Sequence, residues 1–186
     1  MSFVIGIDQS VLHTGICILN EDGSVNYLGL IEPDKLKNRD RLAYIRDELT
    51  AILDARKFTV GVMEGYSYGS VNKKFLLGEV GSVVKLAFHD HCLRAYELAP
   101  TALKKFVTSK GSASKEDVIF AVEKQWGVVV NNDNLADAYG LARVAYEIAK
   151  PASVKRHQLD VVKSLLKVII RTKKAPRRKA QFKDAV

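Results

Sequence analysis

The 186-residue chain has two cysteines, four prolines and one tryptophan. Cys17 and Cys92 sit in apolar contexts without metal-ligand spacing, so buried thiols in a reducing cytosol are expected, and a cysteine metal centre is not. The opening MSFVIGIDQS lacks the basic and apolar regions of a secretory leader. No apolar run reaches the roughly 20 residues of a membrane span, so a cytoplasmic protein without a membrane partner is expected. There is no G-x-x-x-x-G-K-[ST] phosphate loop, no nucleophile elbow and no Cys/His pair. Histidine is scarce as well: His13, His89, His91 and His157 are scattered. His89-Asp90-His91 reads as a helix C-terminus favoured by its histidines rather than as a metal site.

Acidic residues are nearly missing from one end. Residues 150–186 hold 12 Lys/Arg against Asp160 and Asp184, a local charge of +10, while residues 1–149 carry −2 of the net +8. The basicity therefore belongs to an appendage, and a polyanion such as nucleic acid is its natural partner. A merely solvated tail is the other reading.

Hydrophobic patterning predicts strands at Phe3–Asp8, His13–Leu19, Ser24–Ile31, Phe58–Glu64 and Arg94–Leu98, with a hairpin turn at Glu21-Asp22-Gly23. Helical spacing marks Asn38–Arg56, through Leu42, Ile45, Leu49, Ile52 and Leu53, and Val71–His89 despite Gly78 and Gly81. Pro100 suits the first turn of a helix to Thr108. Ser114 is placed to cap Lys115–Trp126, and Asn131-Asn132-Asp133 to cap Asn134–Ala149. After Pro151, Ser153 is placed to cap a last amphipathic helix to about Arg171, and the Lys/Arg-rich stretch from Thr172 reads as disordered when free. A three-strand meander followed by β/α alternation means an α/β protein with a mixed five-stranded sheet flanked by helices.

Three acids fall where acids are costly. Asp8 ends the apolar run Val4-Ile5-Gly6-Ile7, and Glu64 ends Val60-Gly61-Val62-Met63. Asp137 lies in the first turns of a helix, in Asn134-Leu135-Ala136-Asp137-Ala138, beside small residues that permit close approach. Acids at strand ends point into the crevice where α/β proteins build their sites. Grouped carboxylates without a base between them need a cation, and an all-oxygen set selects Mg²⁺ or Mn²⁺. Such a cluster can hold two ions and hydrolyse a phosphodiester.

These residues resemble the RuvC-type Holliday junction resolvases of the RNase H-like nuclease superfamily, particularly the small phage and bacterial forms. Ile5-Gly6-Ile7-Asp8-Gln9-Ser10 with Thr14-Gly15 is similar to the family's first motif, and Val62-Met63-Glu64 to its second. Asn134-Leu135-Ala136-Asp137-Ala138 with Leu141-Ala142 resembles the last, a helix carrying D-x-x-D-A. Lys104 and Gly111-Ser112-Ala113-Ser114-Lys115 resemble the two-lysine segment ahead of that helix. The resemblance spans roughly residues 3–149.

It implies an RNase H-like nuclease core over residues 1–150 and a homodimer acting on branched DNA; the basic helix and tail over 151–186 go past the family's core motifs, and the resemblance says little about them. Asp8, Glu64 and Asp137 would be metal-binding catalytic acids, and Lys104 and Lys115 would approach phosphate. Tyr66 and Tyr68 loosely match an aromatic that can stack on an exposed base; tyrosines packing on the sheet is the alternative. Lys73, Lys74, Lys105, Arg171, Lys173, Lys174, Arg177 and Arg178 are further expected DNA contacts. The chain departs from the family at Asn134, where the family has its first D-x-x-D acid. Asp133, one place earlier, is the competing fourth metal ligand.

Two other readings share single features. An actin-like ATPase or sugar kinase shares the opening motif, but needs a second glycine-rich phosphate loop and a longer chain. A non-catalytic nucleic-acid-binding module accounts for the basic end but not for three acids at strand and helix ends.

Overall fold

The computed structural model describes residues 2–65, 71–151 and 154–172, without the side chains of 71–74 and 168–172. Tyr66, Tyr68, Ser153, Lys173, Lys174, Arg177 and Arg178 lie outside the described residues. Lys73, Lys74 and Arg171 fall within helices whose side chains there are not described.

Strands β1 (Phe3–Asp8), β2 (Thr14–Leu19) and β3 (Val25–Ile31) form the antiparallel meander. Helix α1 (Asn38–Asp54) crosses back to β4 (Phe58–Glu64), and α2 (Val71–Asp90) crosses back to β5 (Ala95–Leu98). β4 is parallel to β1 and β5 is parallel to β4, giving the order β3-β2-β1-β4-β5. The expected mixed five-stranded sheet is therefore present. Both faces of its centre are covered, which is why β1 and β4 read as continuous apolar runs rather than as alternations.

Ile5, Ile7, Ile16, Ile18 and Met63 pack on one face with Ile45 and Leu49 of α1 and Val80, Val84 and Phe88 of α2. Val4, Cys17, Leu19, Val60 and Val62 pack on the other face, mainly beneath α5 (Asp133–Ala149). Around α5 stand α3 (Pro100–Thr108), α4 (Lys115–Trp126) and α6 (Arg156–Thr172). Val161, Val162 and Leu165 of α6 join this second core, so the apolar side of the last helix is packing surface, as its spacing predicts. Burial of each such side chain contributes about 1.5–3 kcal/mol.

Side-chain chemistry sets several boundaries differently from the hydrophobic pattern. β2 starts at Thr14 rather than His13, because His13 swings out to Glu32, 2.9 Å away. β3 starts at Val25 rather than Ser24, whose backbone N–H and hydroxyl both donate to Asp22 Oδ1. Asn132 alone caps α5; its Oδ1 accepts from the N–H groups of Asn134 and Leu135, leaving Asp133 as the first helical residue. Ser114 caps α4 in a full capping box with Asp117. α6 starts at Arg156, and the side chain of Gln158 reaches back to accept from Lys155 N–H at 3.1 Å.

The two thiols part company. Cys17 is buried as expected, but Cys92 is exposed. It occupies the left-handed turn that ends α2, at φ 51°, and its N–H bonds to His89 O rather than the residue packing inward. The histidines beside it satisfy the helix end: His91 Nδ1 lies 2.7 Å from Ala87 O and its Nε2 3.0 Å from Asp54.

Candidate active site

Asp8 and Glu64 end neighbouring parallel strands, whose last registered pair is Ile7 with Met63. Parallel pairing brings both carboxylates to the same edge of the sheet, close enough for each to shift the other's titration. α5 supplies the third acid, and two glycines determine how closely it can lie. A Cβ on Gly6 would stand 2.2 Å from Ala142 N and 2.3 Å from Ala138 O; one on Gly15 would stand 2.3 Å from Asn134 O. Ala138 and Ala142 complete a contact that larger residues would hold apart. The helix backbone thus rests on β1 and β2, and Asp137 is brought within electrostatic reach of Asp8 and Glu64.

The loop after Asp8 is tied as firmly. Thr14 is fully buried; its hydroxyl donates to Ser10 O at 2.8 Å and accepts from Ser10 N–H at 3.4 Å. The Thr14-Gly15 pair therefore has two separate jobs: one residue closes the loop behind Asp8, and the next admits α5.

Burial and mutual repulsion raise all three acids. Asp8, 5% exposed, is held well above the usual carboxylate range by burial first and then by Glu64, Asp137 and Asp133. Glu64 is pushed up to about 7, by burial and then Asp137, and Asp137 to about 6, by burial and then Asp133. Lys104 and Lys115 oppose both shifts, which places their charges beside the acids. Lys104 Nζ donates to Ala113 O at 2.7 Å, fixing the loop between α3 and α4. Lys115 pairs with Asp133; the bond raises the lysine and lowers Asp133 below its usual range.

Each sequence-predicted acid and both family lysines thus converge on one edge. Among the described residues, no three His, Cys, Asp or Glu side chains already stand as a ligating group. The donor set nonetheless fits a hard divalent cation: one buried and two partly buried carboxylates repel one another, and such a charge would relieve that repulsion. Asn134 is partly buried on the first turn of α5, with its backbone carbonyl against Gly15. Lys105 is exposed and lines a groove with Asp160 and Leu165 of α6.

Sequence reading missed two polar side chains at this end of the sheet. Gln9, 3% exposed, has no hydrogen-bond partner for either amide atom, and Arg41, 7% exposed, has none for Nε or Nη2, although Nη2 lies 3.8 Å from Glu79 Oε2 in an ion pair. Gln9 follows Ile5 and Ile7 in alternation, and Arg41 precedes Ile45 by one turn. Periodicity places both on the α1/α2 side, although neither residue is apolar.

A family model described as crossover junction endodeoxyribonuclease RuvC matches residues 4–146. The crossover junction endodeoxyribonuclease RuvC of Chlorobium phaeobacteroides is 32% identical over 147 residues, covering 75% of this chain and 78% of the relative. That of Dictyoglomus thermophilum is 28% identical over 145 residues, covering 74% and 92%. Among solved structures, Thermus thermophilus RuvC aligns with a TM-score of 0.66 at 19% identity, covering 79% of this chain and 95% of that one. T. thermophilus RuvC in complex with a Holliday junction substrate gives 0.67 at 20% identity, covering 75% and 90%. At these identities the structural matches speak for the fold, which is RuvC-like.

Proposed function

Because the chain belongs to the RuvC family of crossover junction endodeoxyribonucleases, we propose that it is a divalent-metal-dependent endonuclease that resolves four-way DNA junctions in the cytoplasm. The observation that carries this reading is the convergence of Asp8, Glu64 and Asp137 at one sheet edge, with Lys104 and Lys115 beside them.

Asp8, Glu64 and Asp137 would hold Mg²⁺, with Mn²⁺ able to replace it. A bound pair of such ions supplies an acidified water and charge stabilisation for the leaving oxygen of the phosphodiester. The chain's own part is positional. β1, β4 and the glycine-seated α5 fix three carboxylates before substrate arrives, so little reorganisation is left for the reaction. Lys104, anchored on Ala113 O, and Lys115 set positive charge where phosphate oxygens must lie. Both strengthen attraction for a polyanion that the acids would otherwise repel.

A four-way junction presents symmetric strands, which a two-fold dimer matches. The reading of a homodimer is supported by α2, where Phe75 and Leu86 are 77% and 62% exposed and a Cβ on Gly78 would meet nothing within 4 Å. Among the described residues, no helix is long and apolar enough to cross a membrane.

The deciding experiment is incubation of the purified protein with a synthetic four-way junction and Mg²⁺. Paired nicks at symmetric positions are expected, and none in EDTA. Cutting of linear duplex at the same rate as the junction would overturn the proposed substrate.

For the fourth ligand we favour Asn134, whose amide oxygen can serve a hard cation without adding charge. Asp133 is engaged by Lys115, which supports a role outside the direct ligand set or through water. In a Mg²⁺ titration of cleavage, Asn134→Ala should raise the metal requirement more than Asp133→Ala does. A tenfold rise confined to Asp133→Ala would move the ligand one residue along the chain.

A further inference from the structure

A cavity of about 730 Å³ runs beside α4, bounded by the end of α3, by α5 and by the residues leading into α6. It lies within the size range of sites that hold organic ligands, roughly 300–1,000 Å³. Its wall on the α6 side belongs to residues beyond the family match, which ends at residue 146. Lys155 latches that wall to α4: its Nζ lies 2.9 Å from Gln125 Oε1, while Gln125 Nε2 donates to Val107 O.

The lining combines cations with an aromatic ring offered to solvent. Phe120 is 63% exposed, with Lys124 Nζ 5.7 Å from its ring centre, and Lys110 lines the same groove. Arg143 lies over the Trp126 ring in the same lining, 5.5 Å from its centre. Phe120 offers an unburied ring face, and the lining sets Lys110, Lys124, Arg143 and Lys155 against Asp117 and Glu147, a cationic excess that favours a polyanion as the occupant. A duplex hides the faces of its bases, whereas an unpaired strand offers both base faces and phosphates; aromatic rings set in a basic groove suit that combination. Ala113 lines this groove and is the residue whose carbonyl holds Lys104, so one loop borders both the groove and the acid cluster.

We propose that this groove binds an unpaired stretch of nucleic acid continuous with the branched substrate, with Phe120 stacking on a base and Lys110 and Lys124 meeting its phosphates. The inference rests on the nuclease reading for the identity of the substrate, but not for its measurement. The test is fluorescence anisotropy of a labelled oligothymidylate, and of a labelled duplex, with wild type and variants in EDTA. Phe120→Ala and Phe120→Leu should each weaken oligothymidylate binding about tenfold. Lys110→Glu with Lys124→Glu should flatten the slope of log K against log salt by about 0.7 per phosphate released. Duplex binding should change far less in all of them.

Unchanged oligothymidylate affinity in both Phe120 variants, with melting temperatures equal to wild type, would overturn the proposal. So would equal losses for duplex and single strand, which would make the groove a general basic surface. Because binding is read without metal or cutting, the groove can fail while junction cleavage stands, and the reverse.

Discussion

Asp8→Asn is expected to lower junction cleavage about a thousandfold or more and, in the same protein, to raise the melting temperature at pH 8. The two effects have one cause. Asp8 is buried beside Glu64, Asp137 and Asp133, so its charged form is disfavoured and a balancing cation would favour it. The sign follows from the shifts. Glu64 rises from 4.5 to about 7 and Asp137 from 3.8 to about 6, so the folded chain binds protons more tightly than the unfolded chain does. Stability from these groups is fully present below pH 4 and is lost as pH climbs through 6 and 7. A shift of this size is worth about 3 kcal/mol for one acid taken alone; the three acids share their repulsion, so the total is less than the sum. Melting in EDTA should therefore fall from pH 5 to pH 8. Mg²⁺ should restore it most at pH 8, and Asp8→Asn, Glu64→Gln and Asp137→Asn should each flatten the profile. Junction binding should survive in all three, since on the proposed reading these acids would hold metal rather than DNA. A flat profile in wild type, or near-wild-type turnover in any variant, would remove that residue from the site.

Deleting residues 172–186 should weaken junction binding by one to two orders of magnitude at about 0.15 M salt. The deletion removes Lys173, Lys174, Arg177, Arg178, Lys179 and Lys183. For every phosphate that the shortened chain no longer neutralises, log K against log salt should become less steep by about 0.9 on duplex arms. Cleavage at low salt should persist, because every residue assigned to the chemistry lies between Asp8 and Asp137. An unchanged salt slope would make the tail a bystander.

Legibility in the sequence varies along the chain. Asp8 and Glu64 stand out because an acid ending an apolar strand is a local anomaly, and Asp137 because small residues surround it on a helix. The glycines of the first motif, Gly6 and Gly15, are visible as motif letters. Their reason is not, because it lies in backbone atoms of Asn134, Ala138 and Ala142, more than a hundred residues away. The Lys115–Asp133 pair is hidden likewise: in sequence each residue points to a separate partner, the lysine to phosphate and the aspartate to metal. Cys92 reads as buried because its apolar neighbours belong to α2, while the residue itself makes the turn that leaves it. The groove beside α4 has no signature at all. Its walls come from α3, α4, α5 and the approach to α6, and no window of sequence contains them together.

The seating of α5 on Gly6 and Gly15 also bears on the history of each molecule. Asp8 and Glu64 leave the ribosome early, but the helix that carries Asp137 must be synthesised and docked before three carboxylates share an edge. Until then the nascent chain holds two strand-end acids and no complete cradle for a divalent ion. On the proposed reading, a chain released before α5 would carry two of the three acids and could not assemble the site. The order of elements makes assembly of the acid cluster a late event, complete only when nearly all of the core has been translated.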